Sequence, residues 1–214
     1  MANIKSLAKD TAIYGLSSIV GRFLNYLLVP LYTHVISAAS GGYGIVTNLY
    51  AYTALILVIL TFGMETTFFR FANKQEENPN TVFWTSLTMV GVLSLTFLGG
   101  IFIAITLMMA TVVALDAIQA IPFCLLRYQK KAVKFASLKL LFIVMNIGLN
   151  LLYFKVLGHT EVYYVFFLNL ICTGLITFFF IPDLLHMQVR VDLRLLRRMF
   201  SYSWPILLLG IAGI

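Results

Sequence analysis

The chain has 214 residues, of which 61% are hydrophobic and only 11% are charged. A soluble domain carries about 25% charged residues, so this composition excludes a soluble globular domain, a disordered tail and a nucleic-acid-binding module. The formal net charge of +7 comes from basic residues that lie between apolar runs, which indicates membrane topology rather than binding to nucleic acid.

Long apolar runs follow one another along the chain. Because a membrane-spanning helix needs about 20 mostly apolar residues, we predict an all-α integral membrane protein with six transmembrane helices and the start of a seventh. The predicted spans are residues 11–33, 43–69, 82–105, 108–126, 138–157 and 161–182. In this interpretation 1–182 is an N-terminal lobe, 183–200 is a connector, and 201–214 is the truncated start of the seventh helix.

The basic loops predict the orientation of this bundle, because cytoplasmic loops are enriched in Lys and Arg. Most of the 15 basic residues precede the first span or follow the second, fourth and sixth. These segments therefore share one side, and the N-terminus is predicted to be cytoplasmic. The same parity requires two spans within residues 82–126, joined by a very short outer turn. Gly99 and Gly100 are the nearest helix breakers, but they lie earlier than that turn.

The connector over 183–200 differs from the spans because arginines are interleaved with apolar residues. A helix here would carry Arg190, Arg194 and Arg197 on one face and Leu193, Leu196 and Phe200 on another. Such a pattern predicts a basic amphipathic helix that lies in the headgroup plane. A solvated connector that merely carries a run of charge is the alternative.

Three ionisable residues fall inside the predicted spans: Arg22, Glu65 and Asp116. A charge at the bilayer centre costs about 2.5–3.5 kcal/mol on insertion scales and usually faces a bundle interior or a water-filled cavity. Arg22 suits phosphate oxygens because its guanidinium is planar and always charged. The alternative for Arg22 is a buried ion pair with Glu65 or Asp116. Arg70, at the end of the second span, is explained equally by ligand binding and by snorkelling to the interface.

Other polar residues recur at helical spacing in the spans, so the sequence predicts a wet or hydrogen-bonded bundle interior. The main stripes are Arg22 with Asn25, Asp116 with Gln119, Asn146 with Asn150, and Asn169 with Thr173 and Thr177. These side chains either line a substrate cavity or join neighbouring helices through hydrogen bonds. Each such bond contributes about 0.6–2 kcal/mol.

Catalytic and metal-binding motifs are absent from the sequence, which has no nucleophile elbow, Gly-rich phosphate loop, HExxH or paired Cys and His ligands. The sequence therefore predicts neither an enzyme nor a cofactor or metal site. Cys124 and Cys172 both lie inside apolar runs. A membrane-embedded glycosyltransferase is the alternative of a different class, and it would need carboxylates or histidines clustered near a loop.

Four segments, taken in order, carry a resemblance to a known family. They are LAKDTAIYGLSSIVGRFLNYLLVPLYTHVIS, YGIVTNLYAYTALILVILTFGMETTFFRFANK, LDAIQAIPFCLLRYQKKAVKFASLKLLFIVMNIGLNLLYF and RLLRRMFSYSWPILLLGIAGI. In order and spacing they resemble the bacterial polysaccharide flippases, which handle O-antigen or exopolysaccharide units. That family belongs to the multidrug/oligosaccharidyl-lipid/polysaccharide exporter superfamily.

The resemblance implies a flippase of 12–14 helices, in two lobes around a central cavity, in the bacterial inner (plasma) membrane. It implies translocation of undecaprenyl-diphosphate-linked oligosaccharides in the biosynthesis of polysaccharides such as lipopolysaccharide. Arg22 and then Arg70 best match the basic residues that face the lipid diphosphate. With the polar stripes, the substrate-binding candidates are Arg22, Asn25, Arg70, Asn146 and Asn150. Glu65 and Asp116 fit positions for cation coupling or gating.

Two departures from the family bear on this interpretation: the outer loop between spans three and four is very short, and the second lobe is missing. The implied partners are therefore a lipid-linked oligosaccharide, membrane lipids, and a C-terminal lobe or polysaccharide-assembly proteins, with no nucleic acid. A multidrug-type cation antiporter of the same superfamily is an alternative, against which Arg22 argues but which Glu65, Asp116 and the 14% aromatic content leave open. A non-functional truncated helix bundle is another.

Overall fold

The computed structural model describes residues 4–36, 41–74, 77–99 and 104–213. Every regular element within these ranges is helical, which confirms the all-α class. The elements are α1 (Ile4–Tyr26), α2 (Leu28–Val35), α3 (Gly42–Thr61), α4 (Met64–Ala72), α5 (Pro79–Gly99), α6 (Ala104–Tyr128), α7 (Ala132–Asn150), α8 (Val162–Leu185) and α9 (Leu193–Ala212). A π-helical turn, Leu151–Val156, continues α7.

Five helical stretches among the described residues are long and apolar enough to cross a membrane, consistent with a multi-pass membrane protein. They are Gly42–Ala72, Pro79–Gly99, Leu107–Tyr128, Ala132–Val156 and Val162–Leu185. The predicted count of six spans plus a seventh is not reproduced by length and apolarity alone. The first predicted span is divided at Leu27, and its longer part, α1, carries four charged residues: Lys5, Lys9, Asp10 and Arg22.

The second predicted span is broken in its interior. Phe62 and Gly63 both adopt left-handed backbone, with φ of 50° and 67°, between α3 and α4. Glycine tolerates this conformation because it has no Cβ, whereas phenylalanine adopts it at a cost. Phe62 stacks on Phe200 with ring centroids 4.7 Å apart, so packing against α9 holds the break in place.

The third and fourth predicted spans correspond to α5 and α6, and α5 begins at Pro79 rather than residue 82 while α6 ends at Tyr128 rather than residue 126. The described part of α5 extends to Gly99 and that of α6 starts at Ala104, so residues 106–107, which separate the two predicted spans, lie within α6. Residues 100–103 lie outside the described part of the chain.

The connector begins its helix later than predicted. α8 runs to Leu185, and α9 begins at Leu193, because the Asp192 side chain accepts hydrogen bonds from the backbone N–H groups of Arg194 and Leu195 at 2.7 and 3.2 Å. Arg190 therefore precedes the helix. The buried face is Leu195, Met199, Ser203 and Leu207. Leu193, which was predicted on the apolar face, is 74% exposed.

The contacts divide the chain into two compact units, each assembled from separate stretches of sequence. The first unit comprises Met1–Asn48 and Leu126–Cys172. Within it α1 packs on α7, where Tyr14 meets Phe135 edge to face at 5.1 Å, and Tyr32 of α2 meets Phe154 at 5.7 Å.

The second unit comprises Leu49–Leu125 and Thr173–Ile214. Within it α9 packs on α4 and α5. The buried hydroxyls of Thr67 and Ser203 lie 2.5 Å apart. The segment before α9 is fastened to α5, because Asn80 Nδ2 donates to the Gln188 carbonyl at 2.7 Å and the Asp192 N–H donates to Thr85 Oγ1 at 3.3 Å. An ion pair between Arg198 and Glu77 adds a further tie.

Candidate functional site

A hydrogen-bonded polar cluster joins α6 to α8 inside the second unit. Gln119 Nε2 donates to the Thr173 carbonyl at 2.9 Å and to Thr177 Oγ1 at 2.7 Å. Thr173 Oγ1 donates to Asp116 Oδ1 at 3.3 Å. We call these four residues, Asp116, Gln119, Thr173 and Thr177, the α6–α8 cluster. The polar stripes predicted on the fourth and sixth spans therefore face each other.

The members of the α6–α8 cluster differ in what their burial implies. Gln119 and Thr173 are buried, and their bonds satisfy polar groups that the bilayer leaves unhydrated. Gln119 and Thr173 therefore join neighbouring helices, which is one of the two roles that the sequence allows for the polar stripes. Asp116 is half-buried and ionisable, and it lies within the span Leu107–Tyr128. Ionisable groups at such positions mark substrate or ion pathways, so Asp116 stays a functional candidate beyond its hydrogen bond.

Glu65, a second carboxylate on a span-length helix, lies in the first turn of α4 directly after the break at Gly63. The positive end of a helix dipole favours an acidic side chain there. Cys124 Sγ of α6 donates to Glu65 Oε2 at 3.8 Å. Glu65 is half-buried. The Cys124 thiol, which is a weak hydrogen-bond donor, is one of its neighbours in the second unit.

The two asparagines of the fifth predicted span are held in a closed network in the first unit. The Tyr32 hydroxyl donates to Asn150 Oδ1 at 2.7 Å. Asn150 Nδ2 donates to the carbonyl of Asn146 at 2.8 Å and to Asn146 Oδ1 at 2.6 Å. Both asparagines are buried. Their arrangement favours hydrogen bonding within and between helices over the lining of a cavity.

Arg70 lies at the C-terminal end of α4 and is exposed. Its guanidinium carbon is 4.1 Å from the centre of the Tyr202 ring of α9. This distance is within the range of a cation–π interaction. The contact gives Arg70 a structural role at the α4–α9 interface, which the sequence did not indicate because Tyr202 is remote along the chain.

Among the residues that the structure describes, the contacts do not bring all of the predicted site residues together. Arg22 and Asn25 belong to α1, but their side chains lie outside the described part of the structure. Asn146 and Asn150 belong to the first unit, whereas Glu65, Arg70 and Asp116 belong to the second. Within the second unit, Cys124 beside Glu65 and Thr173 beside Asp116 were not identified as their partners from sequence.

The first unit also contains a basic cleft that the sequence pattern does not predict. It has a volume of about 530 Å³ and is lined by residues of α1 and of the turn from α6 into α7. The sequence pattern relates the lysines of that turn only to membrane topology, although Lys130, Lys131 and Lys134 lie close together along the chain. Their proximity to Lys9 follows from the packing of α1 on α7, which a linear pattern does not contain.

Among the residues that the structure describes, no group of three or more His, Cys, Asp or Glu side chains is placed to hold a metal ion. No family model, curated protein or solved structure matches the chain. The flippase family therefore stays a resemblance carried by the four sequence segments.

Proposed function

We propose that this protein takes part in translocating undecaprenyl-diphosphate-linked oligosaccharides across the bacterial inner membrane, as part of a longer or two-lobed transporter. In this proposal the sugar headgroup crosses through a hydrated interior while the lipid tail stays in the bilayer. Arg22 neutralises the diphosphate. Asp116 and Glu65 carry the charge changes that couple or gate the movement.

The observation that carries the proposal is the placement of Asp116. This carboxylate lies within a span-length helix and accepts a hydrogen bond from Thr173 of a second span-length helix. Keeping a carboxylate at this depth costs free energy that an amide or hydroxyl would not. A purely structural contact needs only a neutral acceptor. The presence of an ionisable carboxyl at this position therefore supports a transport role.

The first test separates the charge of Asp116 from its hydrogen bond. Asp116→Asn keeps an oxygen that accepts from Thr173 but removes the charge, whereas Thr173→Val removes the donor and keeps the charge. Each variant is expressed in a strain that lacks the native gene. We expect Asp116→Asn to abolish surface polysaccharide there, whereas Thr173→Val should retain most of it. Asp183→Asn is the matched control and should behave as the unmodified protein, because Asp183 lies in the last turn of its span, where a charged side chain reaches the interface. Normal polysaccharide from Asp116→Asn would leave Asp116 with a structural role only.

Arg22 is tested in the same complementation assay. Arg22→Ala should abolish surface polysaccharide and cause lipid-linked repeat units to accumulate, while Arg22→Lys should retain part of the function because it keeps the positive charge. Immunoblots of membranes establish that each variant is present. Normal polysaccharide from Arg22→Ala would reject the flippase assignment.

A cation antiporter of the multidrug type is the second candidate, favoured by Glu65 and Asp116, two of the three carboxylates on the span-length helices of the second unit. Carboxylates attract cationic drugs and can exchange protons or sodium ions for them. Expression in a host that lacks its own drug pumps separates the two candidates. Resistance to cationic drugs that is lost with Glu65→Gln, without any effect on polysaccharide, would favour the antiporter.

A further inference from the structure

The basic cleft of the first unit is a concave surface with a strong excess of positive charge. Its walls are Lys9, Asp10 and Ile13 of α1 and residues 130–134 at the start of α7. Four lysines and one aspartate give these walls a net charge of +3. The volume of about 530 Å³ falls within the range of small-molecule sites, which is about 300–1,000 Å³.

The connectivity places the cleft at a membrane face. Residues 129–131 join the span Leu107–Tyr128 to the span Ala132–Val156. A turn between two consecutive spans emerges at the surface of the bilayer, at the depth of the lipid headgroups. Basic pockets between transmembrane helices at this depth bind anionic headgroups.

The cleft combines charged and apolar walls. Val133 is 69% exposed beside the lysines, and Ile13 lines the same space. A free inorganic anion gains nothing from these apolar side chains, whereas a lipid places its phosphate among the ammonium groups and its acyl chains against the apolar surface. The walls therefore fit a phospholipid better than a soluble phosphate.

The helix dipole of α7 adds to the potential of the lysines. The helix begins at Ala132, and no side chain caps it at Lys131. The first N–H groups of a helix have no intrahelical acceptor, and they carry a partial positive charge. A phosphate bound among the lining lysines would therefore be near this end of α7 as well.

From the cleft, its charge and its depth, we infer that the first unit holds the phosphate of an anionic phospholipid between α1 and the turn into α7. The shared chemistry is a phosphate anion, and the bilayer is its source. This inference goes beyond the proposed function, because holding a lipid requires no transport. Lipid retention is read directly, so failure here leaves the polysaccharide assays unaffected, and the reverse is also true.

The test titrates lipid onto the full chain purified in neutral detergent, with native mass spectrometry counting the lipids retained. The probes are dioleoylphosphatidylglycerol, the zwitterionic dioleoylphosphatidylcholine, and inorganic phosphate as a soluble competitor. The test variant is Lys130→Gln with Lys131→Gln, both exposed positions. The matched control is Lys74→Gln with Lys155→Gln, which removes the same charge from exposed positions outside the cleft. Circular dichroism establishes that both variants keep their helices.

We expect one phosphatidylglycerol to bind in preference to phosphatidylcholine, and the test variant to bind it about 30-fold more weakly, from about 1 kcal/mol per lysine. The control variant should bind like the unmodified chain. Equal weakening in both variants, or no preference for phosphatidylglycerol, overturns the inference. Displacement of the lipid by inorganic phosphate at similar concentration would also overturn it, because the site would then take a soluble anion.

Discussion

Asp192 shows how one side chain fixes a boundary that hydropathy does not reveal. Its carboxylate accepts hydrogen bonds from the N–H groups of Leu195 and Arg194, and these bonds hold the pKa of Asp192 below its ordinary value of 3.8. The protonated carboxyl is a poorer acceptor, so the start of α9 depends on the ionised form. The stability of the first turn of α9 therefore depends on pH.

We expect the first turn of α9 to fray as the pH falls through the lowered pKa of Asp192. A carboxyl whose pKa is lower in the folded state stabilises that state above its unfolded pKa and stops doing so as acid protonates it. Asp192→Asn keeps an acceptor but does not titrate. Hydrogen exchange at the amides of Arg194 and Leu195, corrected for intrinsic rates, should show acid-induced loss of protection in the unmodified chain only. Equal loss in Asp192→Asn would contradict the assignment.

At single residues, the sequence identified polar stripes more reliably than the partners of their members. The spacing of Gln119, and of Thr173 with Thr177, placed each set on one helix face, and the structure joins these faces through hydrogen bonds. The partners of Glu65 and Arg70 were not predictable. Cys124 and Tyr202 approach them only through helix packing, which one-dimensional periodicity does not encode. The side chain of Arg22 lies outside the described part of the chain, so its predicted role stays a prediction.

At the scale of elements, the break between α3 and α4 lets one apolar run form two helices. A straight helix over Gly42–Ala72 would have 31 residues, and at 1.5 Å per residue it would be about 46 Å long. The hydrocarbon core is about 30 Å thick. The break at Phe62 and Gly63 therefore divides a helix that is too long for the core into two pieces that pack separately.

We predict that Gly63→Ala destabilises the protein by about 1–3 kcal/mol, because a Cβ is strained at positive φ. That atom would also lie 2.9 Å from Ile206 Cγ2 and 3.3 Å from the Ser203 carbonyl oxygen. Gly91→Ala in α5 is the control, since its added Cβ would have no described neighbour within 4 Å outside its own helix. Unfolding by sodium dodecyl sulfate in mixed micelles measures both. Equal stabilities for the two variants would show that the break tolerates a side chain.

The boundaries of elements were the least predictable part of the fold. Hydropathy located the apolar runs because their composition alone defines them. It did not locate the left-handed break at Phe62 and Gly63, which lies within an unbroken apolar run. It placed the apolar face of α9 on Leu193 and Phe200, although the packed face includes the polar Ser203. The hydroxyl of Ser203 is hydrogen-bonded to that of Thr67, so Ser203 is buried as readily as a leucine. A hydrophobicity pattern nevertheless scores it as a polar residue.

For the whole molecule, the contacts of α1 and α2 bear on how many times the chain crosses the membrane. Lys9 lies at the cleft beside the turn into α7, Tyr14 contacts Phe135, and Tyr32 bonds to Asn150. The two stretches therefore run in the same direction along the full length of α7. Although α1 is less apolar than the five span-length helices, it extends alongside one of them.

We accordingly predict that α1 and α2 together cross the bilayer. Single cysteines at exposed positions report the side: Ala8→Cys before the crossing, Gln129→Cys in the turn before α7, and Thr160→Cys after it. An impermeant maleimide applied to intact spheroplasts should label only Thr160→Cys, and lysis should expose the other two. Labelling of Ala8→Cys together with Thr160→Cys would show that α1 and α2 do not cross.

The packing of α1 and α2 on α7 also constrains biogenesis. The bond from Tyr32 to Asn150 joins residues 118 positions apart, so the first helices leave the ribosome long before their partner is made. α1 carries charges that the translocon accepts poorly in isolation, and the contacts of Tyr14 with Phe135 and of Tyr32 with Asn150 form only once α7 has emerged. The packing of α1 and α2 on α7 is therefore completed only after residues 132–150 have been made. Two helices that are made before α7 thus reach their final contacts after it.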